Sequence, residues 1–212
     1  MLRRRRRFET LHPQLRRRRR YQRFTFAAFV LLALSAFLDQ AGVFHYAGND
    51  WRAFDHKQFV VTHVADGDTL TVRAPGGGEE TRVRLIGVDA PELHSRDDGN
   101  RADFWAADAR DYLKQRAAGQ DVTLRLEQTN TRDRYKRLLA YVYVGDSHNL
   151  NLDLVRDGHA YADRRFPHSM RAQFERAEGE ARRAKRGLWK DVQESQMPPW
   201  RREWLDRRAR PK

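Results

Sequence analysis

Three separated stretches put charged side chains at the ends of strand-like apolar runs. Asp66 and Asp68 flank Gly67. Arg84, Asp89 and Glu92 lie within Val83-Arg84-Leu85-Ile86-Gly87-Val88-Asp89-Ala90-Pro91-Glu92. Arg132, Arg134 and Arg137 precede the run Leu138–Val144. Such a mixed set has a defined chemistry. Hard carboxylate oxygens hold Ca²⁺ or Mg²⁺. A phosphodiester is already anionic, so attack on it requires neutralised charge, which arginine supplies bidentately and a metal ion reinforces. A remaining carboxylate can take a proton from water. Each stretch also has a plainer reading: an Asp-Gly-Asp turn, a strand running into a polar loop, and solvated loop arginines.

The elements that must position these groups follow from periodicity. Phe59–Val64, Thr69–Val72 and the run from Val83 alternate as strands, joined by the Asp66-Gly67-Asp68 turn and the Pro75–Gly78 hairpin loop, where glycine accepts positive φ. No Lys-Ser/Thr follows the glycine triplet, which excludes a phosphate loop. The polar stretch His94–Asn100 leads to a helix over 101–116, with Trp105, Ala109, Tyr112 and Leu113 on one face. Val122, Leu124 and Leu126 form a fourth strand, and Leu138–Val144 a fifth. Short helix 149–156 is closed by Gly158. Helix 169–185 buries Phe174, Ala177 and Ala181 and is capped by Gly187, and Leu188 and Trp189 form a plug. Five strands with a helix before the fourth predict an α+β fold: a five-stranded OB-type β-barrel with about three helices. Arg84 and Asp89, five residues apart, point to opposite faces of a regular strand. The sequence therefore predicts a bend or bulge near Gly87.

The chain has 212 residues and no cysteine, which excludes disulfides, zinc–thiolate sites and thiol catalysis. Its eight histidines show no metal-binding spacing. The net charge of +13 resides mainly in residues 1–23, with eleven arginines and one acid, so it is no sign that the folded part binds a polyanion. Phe24–Leu38 carries only Thr25 and Ser35 as polar residues and rises ~22 Å as a helix. Extended to Phe44, it is long enough to span a bilayer. The segment reads as an uncleaved signal anchor; a cleaved signal peptide and a buried helix are the competing readings. With the arginines held inside, everything after residue 45 lies on the extracytoplasmic side. The organisation is thus a basic cytoplasmic tail (1–23), a transmembrane anchor (24–44), a linker (45–57), one globular domain (58–190) and a basic tail (191–212). In that last tail Trp200 and Trp204, four apart, allow an amphipathic turn against the domain or the membrane interface, or a solvated end.

V-A-D-G-D-T (64–69), V-R-L-I-G-V-D-A-P-E (83–92), D-R-Y-K-R-L-L-A-Y-V-Y (133–143), the region from Asn151 to Ala160 and R-G-L-W (186–189) together resemble the staphylococcal nuclease family, in order over roughly residues 58–190. The resemblance implies that Asp68, Asp89 and the Ala90 carbonyl ligate Ca²⁺, that Glu92 is the general base, and that Arg84 and Arg137 stabilise the charged transition state. It implies cleavage of DNA and RNA at the bond between phosphorus and the 5′ oxygen, leaving 3′-phosphate ends. No protein partner is implied, and a monomer is expected. Two places depart from the family pattern. Lys136 stands where glycine is common and adds charge beside Arg137. In Tyr161–Phe166, Phe166 would keep one base stack and Arg164 would replace another by guanidinium stacking. The alternative function is a non-catalytic, membrane-anchored module that binds nucleic acid through the same barrel.

Overall fold

The computed structural model describes residues 26, 28–34, 47–93, 101–128, 130–145 and 147–209. Two units are distinct, Met1–Tyr46 and Ala47–Lys212. In the first, residue 26 and residues 28–34 are helical with exposed side chains. The rest of the expected anchor 24–44, the arginine-rich tail 1–23 and the loop 94–100 lie outside the described residues. Among the described residues no helix is long and apolar enough to cross a membrane.

The second unit opens with helix α1 (Ala47–Phe54), within the stretch expected to be a linker. Asp50 accepts from Arg132 Nη2 at 2.9 Å and from Thr131 Oγ1 at 2.8 Å. Strands β1 (Lys57–Val64), β2 (Thr69–Arg73) and β3 (Thr81–Leu85) form an antiparallel meander. Strand β5 (Asp121–Arg125) pairs with β1, and β6 (Leu138–Val144) pairs with β5 and with the short β7 (His148–Asn149). Parallel pairing of β3 with β6, Val83 opposite Leu138, closes the barrel of five strands. Period-two burial fills it: Phe59, Val61, Leu70, Val72, Val83, Leu85, Leu124, Leu138, Ala140 and Val142 all face inward.

The chain leaves the barrel after Leu85. Gly87 adopts φ 76°, and strand β4 (Val88–Asp89) resumes in a separate two-stranded pairing with β8 (Tyr161–Ala162). The expected bend is thus a complete change of sheet. A Cβ on Gly87 would lie 2.5 Å from His168 and 2.7 Å from Phe174, so both the backbone conformation and the space require glycine. The bend is bolted from two sides. Asn151, fully buried on α3 (Leu150–Arg156), donates to the carbonyls of Ile86 at 2.9 Å and Ala140 at 3.1 Å, and Asp163 N–H donates to Gly87 O at 2.9 Å.

Helix α2 (Ala106–Ala117) starts later than periodicity predicts, because Trp105 takes a left-handed φ of 72° and cannot continue a helix backwards. Helix α4 (Arg171–Arg183) buries Phe174, Ala177 and Ala181 as expected, and Glu178 as well. Its C-cap is Ala184, not Gly187. Gly187 serves a different purpose. A Cβ there would sit 2.2 Å from the Gly158 carbonyl oxygen, and one on Gly158 would sit 2.2 Å from that of Arg186. Two backbones meet at these glycines, and Leu188 N–H donates to Gly158 O at 2.8 Å. The final helix α5 (Pro199–Ala209) packs on the domain through a fully buried Arg201.

Candidate active site

Arg84 stands on β3, one strand away from the turn that carries Asp68. Its Nη1 contacts Asp68 Oδ2, and its Nη2 lies 3.3 Å from Asp89 Oδ1. One guanidinium therefore bridges two carboxylates that are far apart in sequence, and the change of sheet at Gly87 is what brings Asp89 to the same side as Arg84. Asp68 is otherwise fully satisfied. Its Oδ2 accepts the Ala90 amide at 2.9 Å, and its Oδ1 accepts the Thr69 hydroxyl at 3.1 Å. Gly67 is needed beside it, since a Cβ there would fall 2.6 Å from the Ala90 Cβ.

Negative charge is concentrated here. Burial pushes the Asp68 carboxyl well above the usual carboxylate range, and Asp66 and Asp89 push the same way, against Arg84 and the Ala90 amide. Glu92 is raised as well, first by desolvation within the cleft wall and then by Asp66, with Arg84 opposing. The Glu92 backbone is held by Asp103. Glu92 N–H donates to Asp103 Oδ2 at 3.0 Å, and Asp103 N–H donates to Glu92 O at 2.9 Å.

Arg137 reaches the site from the loop before β6. Its Nε donates to Asp133 Oδ2 at 2.7 Å and its Nη1 to Thr69 Oγ1 at 3.2 Å, so the hydroxyl that contacts Asp68 also holds Arg137. Lys136 has φ 65°, the left-handed conformation that explains why glycine suits this position.

A cleft of about 1430 Å³ opens over these residues. Asp89, Ala90, Glu92 and Arg137 line it, together with Arg82, Arg134, Tyr135, Arg165, Trp200 and Arg202. The structure thus brings Asp68, Arg84, Asp89, Ala90, Glu92 and Arg137 together, with Asp68 and Arg84 beneath the cleft floor. The three residues expected to contact substrate, Lys136, Arg164 and Phe166, are not among the lining residues. Their sequence neighbours Tyr135 and Arg165 are. Arg164 turns away because its Nη2 binds Glu178 Oε2 at 2.8 Å and its guanidinium lies 4.1 Å from the Trp204 ring centroid, which takes the stacking face expected to receive a base. Arg165 points inward, held by Asp163 in an Asx-type turn, and its Nη2 lies 2.7 Å from Asp89 Oδ1. Tyr135 is 57% exposed at the cleft and offers an aromatic face. Residues 195–200 and Arg202 form a wall that sequence reasoning missed. The tryptophan pair was visible, but the burial of Arg201 between them was not.

The donor chemistry fits a hard cation. Asp68 and Asp89 are drawn together by the Arg84 guanidinium, Asp68 also accepts the Ala90 amide, and hard carboxylate oxygens of this kind suit a divalent ion such as Ca²⁺. Among the described residues no group of three or more His, Asp or Glu side chains forms a fuller cage, so protein carboxylates alone would not complete the coordination.

Residues 82–191 match the family model described as Staphylococcal nuclease homologue. An uncharacterized endonuclease of Escherichia coli O157:H7 is 36% identical over 140 residues, which cover 66% of this chain and 80% of that protein. The thermonuclease of Staphylococcus hyicus is 30% identical over 164 residues, covering 77% and 92%. A micrococcal nuclease of Shigella flexneri is 35% identical over 153 residues, covering 67% and 79%.

Proposed function

This chain belongs to the staphylococcal nuclease family, and we propose that it is a Ca²⁺-dependent endonuclease that hydrolyses phosphodiester bonds of DNA and RNA, breaking the bond to the 5′ oxygen and leaving 3′-phosphate ends. The observation that carries this reading is the bridging of Asp68 and Asp89 by Arg84 directly beneath a cleft that also presents Glu92 and Arg137. The relatives named as nucleases support it.

Each side chain has a part. Asp68, Asp89 and the Ala90 carbonyl would hold the cation. When bound, Ca²⁺ polarises a phosphoryl oxygen and lowers the charge that an incoming nucleophile must face. Glu92 takes the proton from the attacking water. Arg84 and Arg137 donate to the phosphoryl oxygens as negative charge grows on them, a preorganised contribution because Asp68, Asp133 and Thr69 fix both guanidinia beforehand. Tyr135 and Arg165 replace Phe166 and Arg164 as the residues offered to the bases and phosphates of the bound strand.

Full-length protein with Ca²⁺ is expected to convert single-stranded DNA and RNA to fragments ending in 3′-phosphate, and chelation with EGTA is expected to abolish cleavage. Salt-sensitive binding without product, or cleavage indifferent to chelator, overturns the proposal.

We further propose that residues 24–44 anchor the chain in a membrane with the arginine-rich tail cytoplasmic and the barrel outside, on the strength of the apolar run and its basic flank. Alkaline phosphatase fused after Phe54 should then be active in a bacterial host. An inactive fusion places the domain on the other side and rejects this topology.

A further inference from the structure

We propose that the C-terminal segment is a fixed wall of the active site in which Trp200 is a positioning residue, holding Asp89 in the orientation from which it would ligate the cation. This rests on the cation-dependent reading above. The Trp200 indole N–H donates to Asp89 Oδ2 at 2.7 Å, while Arg165 and Arg84 reach Oδ1 at 2.7 and 3.3 Å. Both oxygens are therefore fixed and the carboxylate plane is set. Strand β4 could not do this alone, having only Val88 and Asp89 in its pairing with β8. An indole is a suitable partner. It donates one hydrogen bond in one direction and carries no charge, so it orients the carboxylate without neutralising it. Partners of this kind govern how well a ligand group holds a metal.

The seat of Trp200 shows that the segment is a wall and not a hinged lid. The next residue, Arg201, is 0% exposed and binds Glu178 Oε2 at 2.9 Å, and Glu178 Oε1 accepts the Ala162 amide at 3.1 Å. Ala162 belongs to β8, the strand that pairs with Asp89. One buried network thus carries the strand behind Asp89 and the helix in front of it. The Trp204 ring centroid lies 4.8 Å from the Arg201 guanidinium carbon, and the Trp200 ring centroid lies 5.0 Å from that of Arg165. Swinging α5 aside would strip the buried Glu178 carboxylate of one of its two arginines and Arg201 of its only carboxylate partner among the described residues. The family match ends at residue 191, so Trp200 comes from outside the matched region.

The test is calorimetric titration of Ca²⁺ into the full-length protein and its Trp200→Phe variant, with melting temperatures measured alongside. Phenylalanine keeps a ring beside Arg165 and removes the N–H. The Ca²⁺ dissociation constant is expected to rise about 10- to 100-fold, with the melting temperature nearly unchanged. β-(3-Benzothienyl)alanine at position 200, which keeps the bicyclic shape and replaces N–H by sulfur, should give the same weakening. Unchanged affinity in both proteins overturns the proposal. Tighter binding also overturns it, identifying Trp200 as a plug that competes with the cation. A parent protein that binds no Ca²⁺ overturns the cation-dependent reading itself, and this inference with it.

Discussion

Glu92→Gln is expected to lower kcat on single-stranded DNA by about 10²- to 10⁴-fold, the range for loss of a general base. The substitution is close to isosteric, and the contacts that place residue 92 belong to its backbone, with Asp103 on both N–H and C=O. They survive the change. What is lost is the carboxylate that accepts the proton from water. Stability is expected to stay within about 0.5 kcal/mol, as for a surface substitution. Ca²⁺ affinity should change little, because Asp68 and Asp89 remain in place. Single-turnover cleavage at saturating Ca²⁺ measures the effect. A variant with the parent rate rejects water activation by Glu92, even if the protein is a nuclease.

The second large effect concerns folding. Glu178→Gln is expected to destabilise the domain by about 3–5 kcal/mol, the cost of leaving a buried charge uncompensated. Glu178 is 1% exposed and accepts three hydrogen bonds, from Ala162 N, Arg164 Nη2 and Arg201 Nη2. Glutamine can still serve the Ala162 amide, but it leaves Arg201 without a counter-charge and Arg164 with only Glu175, 3.9 Å from its Nε. Arg201 has no alternative, since its Nε and Nη1 already lack hydrogen-bond partners and rest among tryptophan rings. Urea unfolding followed by far-UV circular dichroism reads the loss. A shift below about 1 kcal/mol would show that the pair is better solvated than its burial implies.

The barrel was legible in the sequence because its strands alternate apolar and polar residues and its turns are marked by Asp66-Gly67-Asp68 and the glycine triplet. The bend at Gly87 followed from the pleat alone: Arg84 and Asp89 cannot converge on a regular strand, and the structure meets this demand by moving Asp89 to another sheet. The cleft floor was legible as charged residues at strand ends. Its walls were not. Whether Arg164 or Arg165 faces the cleft depends on the Asp163 turn and on the buried Glu178, and a charged residue on an amphipathic helix gives no sign in sequence that it is buried. The same limit hid Arg201. Read along α5 it is one of several arginines, and only the buried Glu178 gives it a partner, with Trp189, Trp200 and Trp204 packed around it. Gly187 shows the opposite error. A glycine after a helix suggests a cap, but here it answers a backbone contact with Gly158 that no local pattern records.

The parallel pairing of β3 with β6 has a consequence for when this molecule can act. Val83 meets Leu138 only after α2, β5 and the Asp133 loop have been gathered between them, a non-local closure of the kind that folds slowly. Arg137 immediately precedes that closure, and Asp89 reaches Arg84 only once the chain has changed sheets. A chain folded only through β4 therefore has Asp68, Arg84, Asp89 and Glu92 on one fragment and Arg137 on another, and the set is complete only when β6 docks. Assembly of the full set of charges is thereby tied to the last closure of the barrel.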